Sequence, residues 1–431
     1  MTSERPRPSP SISPPNDTGE AMGRFAMAAS SPTVARVLRG ELCAGCGLCV
    51  GVSGGALRLE TVAPGYSRPA AIRPLSPEAE ASVAAACPGI TVAPWQPAPN
   101  RHAMWGPYVR CMAGHATDAD IRHKASSGGG ISALLIHAIA TGMVDRVLHV
   151  EADPVYPTRN RVKWSRTAND IIHGAGSRYA ASSPLEAIDD ALSEGGSFAF
   201  VGKPCDVSAL RQLATVDPRV KAHVPLMLSF YCAGLPSHAG AARILAKMGF
   251  APGEVRHFRY RGFGWPGLTR AETQDGRVGE MRYADSWGGE LSKEVQFRCK
   301  ICPDAVGGVA DIACADAWYG GESGYPQFEE QGGRSLIMSR TSTGDALLQQ
   351  AIEAGAVAAE PLAVGEIDLM QPGQARRKRL VAARLAACRT LFQPVPKMAG
   401  LDIANAARQA APRETVQNWL GTVRRILRKQ R

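Results

Sequence analysis

Cysteine is the residue type in this 431-residue sequence whose spacing points most directly to chemistry. The run CAGCGLC holds Cys43, Cys46 and Cys49, and a fourth cysteine, Cys87, is followed at once by Pro88. A CxxCxxC row with a remote Cys-Pro is the ligand pattern of one [4Fe–4S] cluster. A zinc site or buried free thiols are the alternatives, but three such closely spaced cysteines fit a single tetrahedral ion poorly.

A second group of four cysteines is spread along the chain. Cys205 lies in GKPC, Cys232 in FYCAG, and Cys299 and Cys302 in CKICP. The close pair alone suits a redox dithiol, half a zinc site or half a cluster, whereas the four together match the ligand number of a second [4Fe–4S] cluster. The remaining cysteines have no partner spacing and are interpreted as packing residues; they are Cys111, Cys314 and Cys388.

A glycine-rich turn stands directly ahead of a helix-like apolar run. It consists of Ser126, Ser127, Gly128, Gly129 and Gly130. The unpaired N–H groups and the positive dipole end at such a helix start suit a phosphate or pyrophosphate, and an ordinary serine-capped helix start is the alternative. The string GFGWPG at 262–267 matches GxGxxG, but the proline and the strand-like residues after it exclude the helix that a dinucleotide fingerprint needs.

The elements that must position these groups indicate an α+β fold, a mixed α/β body with a small module ahead of it. Residues 1–33 are rich in Pro and Ser and are predicted to be a disordered lead-in. Residues 34–92 are predicted to form a ferredoxin-like [4Fe–4S] module, which a Pro-rich connector separates from the body. In the body, helical runs such as 131–140 alternate with short apolar runs such as 144–150.

The net charge of +10 is concentrated at the end of the chain. Residues 376–431 contain fourteen basic and two acidic side chains, so the remaining residues sum to about −2. Such a body argues against nucleic-acid binding. No apolar run reaches the length of a membrane span and the first residues do not match a secretory signal, so we expect a cytoplasmic protein with reduced cysteines.

The end of this basic tail has an amphipathic helical pattern. One face of the predicted helix carries Trp419, Leu420, Val423, Ile426 and Leu427. Basic side chains lie largely opposite. The tail is therefore interpreted as a helical segment that contacts an anionic membrane surface or an acidic partner such as a ferredoxin. The alternative is a terminal helix that packs on the body of its own chain.

Seven stretches of the chain resemble, in order, the beta-subunit family of coenzyme F420 hydrogenase/dehydrogenase. That family also contains divinyl chlorophyllide 8-vinyl reductases and hydroxymethyl-chlorophyll reductases. The matching stretches are CAGCGLC with Cys87 and Pro88, TDADIRHKASSGGG, SRY at 177–179, GKPCDVSALR, CAGLPS, YRGFGWPG and FRCKICPDAVGGVADIACADAWYG. They extend from about residue 43 to about residue 345.

The resemblance implies a flavoenzyme that carries FAD and iron–sulfur clusters. It divides the body into an N-terminal flavin-binding region at 101–185 and a C-terminal catalytic region at 186–375. The turn at 126–130 would lie against the flavin together with Ser177 and Tyr179, and the second cysteine group would hold a second cluster. The family often has Thr where this chain has Lys203, and this departure introduces a cation that suits a phosphate.

The cofactors that the resemblance implies predict an oxidoreductase. Electrons would pass from a ferredoxin-like donor or a reduced deazaflavin through the clusters and FAD to a small organic substrate. The candidates for substrate positioning or proton transfer are His115, His123, Arg261, Asp311 and Asp316, with a purely structural role as the alternative for each. Two alternative functions stay open: a divinyl (proto)chlorophyllide 8-vinyl reductase, and a non-catalytic electron-relay subunit of a hydrogenase/dehydrogenase complex.

Overall fold

The structure is a computed structural model that describes residues 30–320, 327 and 329–428. Most of the predicted lead-in at 1–33 therefore lies outside the described residues. The first helix, α1 (Pro32–Arg39), begins inside that predicted segment, because Ser31 is its N-cap and accepts a hydrogen bond from the Val34 N–H at 3.1 Å.

The strands and helices follow one another along the described residues with mostly short connections. The strands are β1 (Leu57–Val62), β2 (Tyr66–Ala71), β3 (Asn100–His102), β4 (Gly106–Tyr108), β5 (Arg110–Ala116), β6 (Arg146–Ala152), β7 (Asn160–Ser165), β8 (Phe198–Gly202), β9 (Leu226–Phe230), β10 (Val255–Arg259), β11 (Leu268–Thr273), β12 (Val278–Arg282), β13 (Ile312–Asp316), β14 (Ser335–Ser339) and β15 (Val357–Pro361). The helices after α1 are α2 (Leu48–Gly51), α3 (Pro77–Ala86), α4 (Ala119–Lys124), α5 (Gly130–Ala140), α6 (Ala168–His173), α7 (Ile188–Glu194), α8 (Pro204–Leu213), α9 (Pro218–His223), α10 (His238–Lys247), α11 (Phe297–Lys300), α12 (Ser342–Glu353), α13 (Ile367–Met370), α14 (Pro372–Thr390), α15 (Ile403–Ala407) and α16 (Pro412–Leu427).

An eight-stranded mixed sheet is the centre of the fold. Its strand order is β15-β5-β14-β13-β9-β8-β6-β7. The four strands β13, β9, β8 and β6 are parallel neighbours, whereas β14 is antiparallel to both β13 and β5. The predicted mixed α/β body is confirmed by this sheet.

Both faces of the large sheet are buried because its strands alternate apolar side chains between two cores. On β9, Leu226 and Leu228 lie in one core with helices α5 and α12, and Met227 between them lies in the other core. This second core also contains Val207 and Leu210 of α8. The alternation has the period of two that a strand imposes.

The N-terminal module is a small layer of its own. The antiparallel hairpin of β1 and β2 packs with α1 and α3 around the buried residues Val34, Leu57 and Val83. Cys49 and Cys87 pack against this cluster. The ferredoxin-like character of the module stays a prediction.

The basic tail predicted at 376–431 is in large part integrated into the body. Helix α14 buries Leu380, Val381 and Leu385, and α16 packs along it. Arg384 connects the two helices to the body, because its guanidinium donates to the Lys300 carbonyl at 2.7 Å and to the Asn418 side chain. The first half of the tail is therefore part of the folded body. Its long basic side chains can be buried because backbone carbonyls accept hydrogen bonds from their charged ends.

The predicted apolar face of the last helix is wrong in part. Ile426 is buried on α16, but Leu420 and Leu427 are 53% and 69% exposed. Thr422 takes an inward position instead, and its hydroxyl donates to the Asn418 carbonyl at 2.8 Å. No helix in the described ranges is both long enough and apolar enough to cross a membrane.

A buried histidine near the edge of the large sheet makes a pH-dependent contribution to stability. Nε2 of His149 on β6 lies 2.7 Å from the Ser165 hydroxyl oxygen, and burial lowers its pKa to about 4. Between that pH and about 6.5, the unfolded chain binds a proton that the folded chain does not bind. The wild type therefore loses stability when the pH falls from ~7 to ~4.5. The His149→Gln variant should lose about 2 kcal/mol less of its unfolding free energy over the same range.

Urea titrations of the wild type and the His149→Gln variant across that pH range measure this difference. Parallel curves for the two proteins would contradict the assignment, because the histidine would then titrate equally in both states.

Candidate functional site

The predicted site segments follow strands of the large sheet at one edge. Because β8, β9 and β13 are parallel, their carboxyl ends meet at this edge. Lys203 and Cys205 follow β8, Cys232 follows β9, and Asp316 is the last residue of β13. In open α/β sheets, ligands bind outside the carboxyl ends of the strands.

The first cysteine set, Cys43, Cys46, Cys49 and Cys87, is gathered by two turns of the N-terminal module. Gly45 has a φ of +70°, and its N–H points at the Cys43 sulfur at 3.4 Å. Cys46 lies just before Gly47, the N-cap of α2, and Cys49 lies on α2 itself. Cys87 is the C-cap of α3.

The four thiols of the first set lie close enough to influence one another. Burial and then Cys43, Cys46 and Cys87 raise the pKa of Cys49 well above its ordinary value. Burial also raises the pKa of Cys87, to about 11. Buried thiols of this kind become thiolates when a cation such as iron compensates their charge, so the donor set fits an iron–sulfur cluster.

The second cysteine set, Cys205, Cys232, Cys299 and Cys302, lines one cavity. Burial and the neighbouring Cys299 raise the pKa of Cys232 to about 12. The four residues come from three separate segments of the sequence, which the fold brings together. Within the described residues, no group of three or more His, Cys, Asp or Glu side chains has the arrangement of a single-ion site.

Several hydrogen-bond donors point at the second set. The Leu235 N–H lies 3.3 Å from the Cys299 sulfur, and the Gln296 side-chain amide lies 3.5 Å from the same atom. Donors of this kind stabilise the thiolates of a cluster and influence its reduction potential. This surrounding also fits a cluster.

Basic side chains near the second set were missed by the sequence interpretation, which assigned them to the tail. Arg377 lines the cavity, and its guanidinium donates to the carbonyls of Cys232, at 3.1 Å, and of Ala233. The next residue, Lys378, is buried and donates to the Pro303 carbonyl at 2.6 Å. The sequence signal is the set of apolar residues that follows these cations on α14, Leu380, Val381 and Leu385, which are typical of a helix that is buried on one side.

A buried ion pair lies between the two cysteine sets. The Lys203 ammonium donates to Asp206 at 2.8 Å and to the carbonyl and hydroxyl of Ser182 at 3.0 and 2.9 Å. Burial opposes the charge of Lys203, but Asp206, Cys205 and Cys46 together hold the lysine pKa above its ordinary value. Asp206 in turn raises the pKa of both Cys46 and Cys205, in each case after burial, so the carboxylate is near both sets.

The three N–H groups of the Lys203 ammonium are matched by these three acceptors. Its predicted contact with a flavin phosphate stays a prediction, and such a contact would have to replace one of the acceptors.

The glycine-rich turn lies at the same edge of the sheet. The Ala116 N–H at the end of β5 donates to the Gly128 carbonyl at 2.7 Å, and the Ser127 hydroxyl donates to the Ala315 carbonyl at 2.9 Å. Gly128 has a φ of +61°, and a Cβ there would lie 2.9 Å from the Gly333 carbonyl oxygen. Glycine is therefore required for the close approach of this turn to the strands.

Other predicted flavin contacts meet this turn. The Ser177 N–H donates to the Ser126 hydroxyl at 2.5 Å. Gly129 is the N-cap of α5, and the Gly130 N–H is directed at the Ser335 hydroxyl at 3.3 Å. The ring of Tyr179 packs beside Tyr260 and Trp287, with centroids 5.5 and 4.8 Å away. The turn and the segment at 177–179 thus come together, as the flavin-site prediction requires.

Two predicted catalytic residues form a buried ion pair instead of standing free. The two terminal nitrogens of the Arg261 guanidinium each donate a hydrogen bond to the Asp316 carboxylate at 2.9 Å. The Trp265 indole N–H donates to the same carboxylate at 2.8 Å. Trp265 stacks on Trp318 with centroids 4.6 Å apart, and Arg261 lies over the rings of Trp318 and Tyr283. The stretches YRGFGWPG and DAWYG supply the two tryptophans of this aromatic layer, which the sequence interpretation did not identify.

Of the other predicted catalytic residues, Asp311 lies apart from this pair, and His123 contacts the loop that follows Arg261. Asp311 immediately precedes β13, so it is separated from Asp316 by roughly 17 Å of extended strand. Its carboxylate accepts from the Met227 N–H and the Thr341 hydroxyl, each at 2.7 Å. His123 on α4 is exposed and meets the ring of Phe263 edge-on, with centroids 5.8 Å apart. The structure therefore brings Asp316 and Arg261 together but not Asp311.

The remaining sequence predictions concern residues outside the four-cysteine sets. Cys111, Cys314 and Cys388 are buried, as predicted for packing residues. The rejection of 262–267 as a dinucleotide fingerprint is confirmed, because this segment is a loop followed directly by strand β11.

Fold and site together define a mixed α/β protein whose cysteine sets and glycine-rich turn gather near the carboxyl edge of one sheet. The N-terminal family model for the coenzyme F420 hydrogenase/dehydrogenase beta subunit matches residues 111–189, and the C-terminal model matches 195–364. These matches cover more than half of the chain. The chain belongs to the coenzyme F420 hydrogenase/dehydrogenase beta-subunit family.

Individual relatives agree with this assignment. The chain is 25% identical over 302 residues to the coenzyme F420 hydrogenase beta subunit of Methanococcus voltae, covering 68% of this chain and 99% of the relative. It is 24% identical over 251 residues to the F420-dependent formate dehydrogenase beta subunit of Methanocaldococcus jannaschii, covering 55% of this chain and 61% of that protein.

A solved structure has a similar fold. A chain of the F420-reducing [NiFe] hydrogenase complex from Methanosarcina barkeri superimposes with a TM-score of 0.53 at 22% identity, covering 68% of this chain and 96% of that chain. The family models begin at residue 111, so the first cysteine set lies outside the residues that they match.

Loss of the Asp316 carboxylate should destabilise the protein. Arg261 is 1% exposed, so the variant Asp316→Ala leaves a buried guanidinium without its counter-charge and should lower the free energy of unfolding by about 3 kcal/mol. Asp316→Asn keeps an acceptor for Arg261 and should cost less. Urea unfolding measures the stability of both variants. If Asp316→Ala unfolded at the same urea concentration as the wild type, the ion pair would not stabilise the fold.

Proposed function

We propose that this protein is the electron-transfer subunit of an F420-dependent hydrogenase- or dehydrogenase-type oxidoreductase. The two cysteine sets would each hold a [4Fe–4S] cluster, and the edge formed by the glycine-rich turn and the segment at 177–179 would hold a flavin, FAD. The family supports this proposal, since its relatives are named as subunits of such enzymes. A larger redox protein is then the expected partner.

The observation that carries the proposal is the position of the Lys203–Asp206 pair. Asp206 lies near Cys46 of the first set and Cys205 of the second. Lys203 is also only two residues from Cys205 in the sequence. The ion pair is thus next to both sets, and no other domain lies between them. Electron transfer slows steeply with distance, and two neighbouring cluster sites form a short path.

The second set is likewise close to the proposed flavin edge. The Tyr231 N–H, next to Cys232, donates to the Cys314 carbonyl at 2.8 Å. One residue further along β13, the Ala315 carbonyl accepts from Ser127 of the glycine-rich turn. Strand β13 thus connects the second set to the turn.

The residues of this chain have separable tasks in the proposal. The thiolates hold the clusters, while the N–H groups at Cys299 and the guanidinium of Arg377 offset added negative charge. Bound clusters exchange single electrons, and a bound flavin exchanges one or two. The buried Arg261–Asp316 pair fixes the aromatic layer beside the flavin edge.

The interpretation as an enzyme with its own organic substrate is the weaker one. The aromatic layer of Trp265, Trp318 and Tyr283 supports it, because stacked rings suit a planar organic molecule. Reduction of a chlorophyllide vinyl group has no residue-level observation in its favour. Either function uses the same cofactors.

Anaerobic purification with iron, sulfide, zinc and flavin analysis tests the proposal. We expect about eight irons and one FAD per chain, since each [4Fe–4S] cluster contains four irons. A preparation that is reconstituted with iron and sulfide and still contains about one zinc and no flavin would overturn it.

Removal of one ligand from the second set should have a selective effect. The Cys299→Ala variant should retain only about half of the iron, because one of the two four-iron clusters is lost. Cys388→Ala, which changes a buried cysteine outside both sets, is the matched control and should keep all of it. Equal iron content in the two variants would refute the second cluster.

A further inference from the structure

Three arginines and a phenylalanine form an exposed patch on the N-terminal side of the molecule. Arg36 and Arg39 lie on α1, Arg389 lies near the end of α14, and Phe392 follows two residues after that helix. Together they line one shallow surface depression. We call these four residues the arginine patch.

The charges of the arginine patch are not neutralised within the described part of the chain. The three guanidinium groups are exposed, and none makes an ion pair or side-chain hydrogen bond there. Other arginines on the same helix are satisfied, since Arg377 and Arg384 donate to carbonyls. A cluster of like charges without a local counter-charge favours an acidic partner.

Phe392 adds an apolar element to this charged surface. It is 95% exposed, which is costly for an aromatic ring in water. An aromatic side chain surrounded by arginines is the composition enriched at the energetic centre of protein interfaces. The patch therefore has both a steering charge and an anchor.

The three arginines of the arginine patch lie on two helices, α1 and α14, that pack against the first cysteine set. Val37 on α1 packs in one hydrophobic cluster with Leu42, Cys43 and Cys87. Cys388, beside Arg389, belongs to the same cluster. Residues next to the patch arginines in the sequence therefore pack in the same cluster as two cysteines of the first set.

The same segments lie outside the residues that the family models match. The models cover 111–189 and 195–364, whereas the patch is built from residues 36–39 and 389–392. The first cysteine set lies at 43–87, also outside them. The segments outside these matches therefore contain both a candidate redox site and a charged surface next to it.

We propose that the arginine patch is the docking surface of an acidic one-electron redox protein that exchanges electrons with the first cysteine set. This inference rests on the proposed function and adds the place where electrons enter or leave. Weak redox encounters use small interfaces, and complementary charge increases their association rate. A lipid surface would match the charge but would have no reason to lie over a cluster site.

Calorimetric titration of the full-length protein with an acidic bacterial [4Fe–4S] ferredoxin tests the proposal. The triple variant Arg36→Glu, Arg39→Glu, Arg389→Glu should bind at least about tenfold more weakly than the wild type. The matched control changes three exposed arginines elsewhere by the same charge and should differ from the wild type by less than about threefold; these are Arg256, Arg408 and Arg413. Phe392→Ala should weaken binding without changing its dependence on salt.

Equal weakening in both triple variants, or no binding of this ferredoxin by the wild type, would overturn the proposal. The proposal would also be overturned if the patch variant bound ferredoxin as tightly as the wild type but alone lost binding to phosphatidylglycerol vesicles. The same holds if it alone lost self-association while ferredoxin affinity was unchanged. Binding is measured independently of iron, so a preparation without clusters refutes the proposed function while the titration still decides on the patch. With clusters present, stopped-flow reduction should slow in the patch variant with reduced ferredoxin but not with dithionite.

Discussion

The buried Lys203–Asp206 ion pair is the interaction on which the arrangement of the two cysteine sets depends. The two side chains are 6% and 1% exposed, and removal of either charge would leave the other unpaired in the interior. Asp206 also accepts from the Lys203 N–H at 2.9 Å, so the pair fixes the start of α8, where Cys205 lies. On the other side, Ser183 donates to the Gly45 carbonyl in the loop of the first set. One ion pair and its neighbours thus hold both cysteine sets in a defined relation.

The parallel strands explain why separate segments converge. Residues that follow parallel strands emerge at one edge of a sheet, and this rule brings Cys205, Cys232 and Asp316 to the same side. The cations of α14 then close the second set from outside, which explains why a helix of such basic composition is buried. The N-terminal module adds the first set to this edge through contacts such as the Leu185 N–H with the Cys46 carbonyl.

Local patterns in the sequence predict local features well. The helix expected at 131–140 is α5 (Gly130–Ala140), and the apolar run at 144–150 largely coincides with β6 (Arg146–Ala152), because periodicity and apolar runs determine such elements. The two cysteine sets also came from spacing and family resemblance. The partners of single charges could not be predicted, because Asp311, just before β13, and Asp316, at its end, differ only in their position along the same short segment. Whether a basic side chain is buried also depends on carbonyl acceptors that are distant in the sequence, as Arg377 and Lys378 show.

The central claim is that two clusters lie on either side of the Lys203–Asp206 pair. Electron paramagnetic resonance of the fully reduced protein tests it most directly, because two nearby paramagnetic clusters broaden and split each other's signals. We predict such an interaction spectrum in the wild type and a single, uncoupled cluster signal after loss of Cys205 by the variant Cys205→Ala. Two additive, non-interacting signals, or one cluster signal in the iron-loaded wild type, would contradict the account.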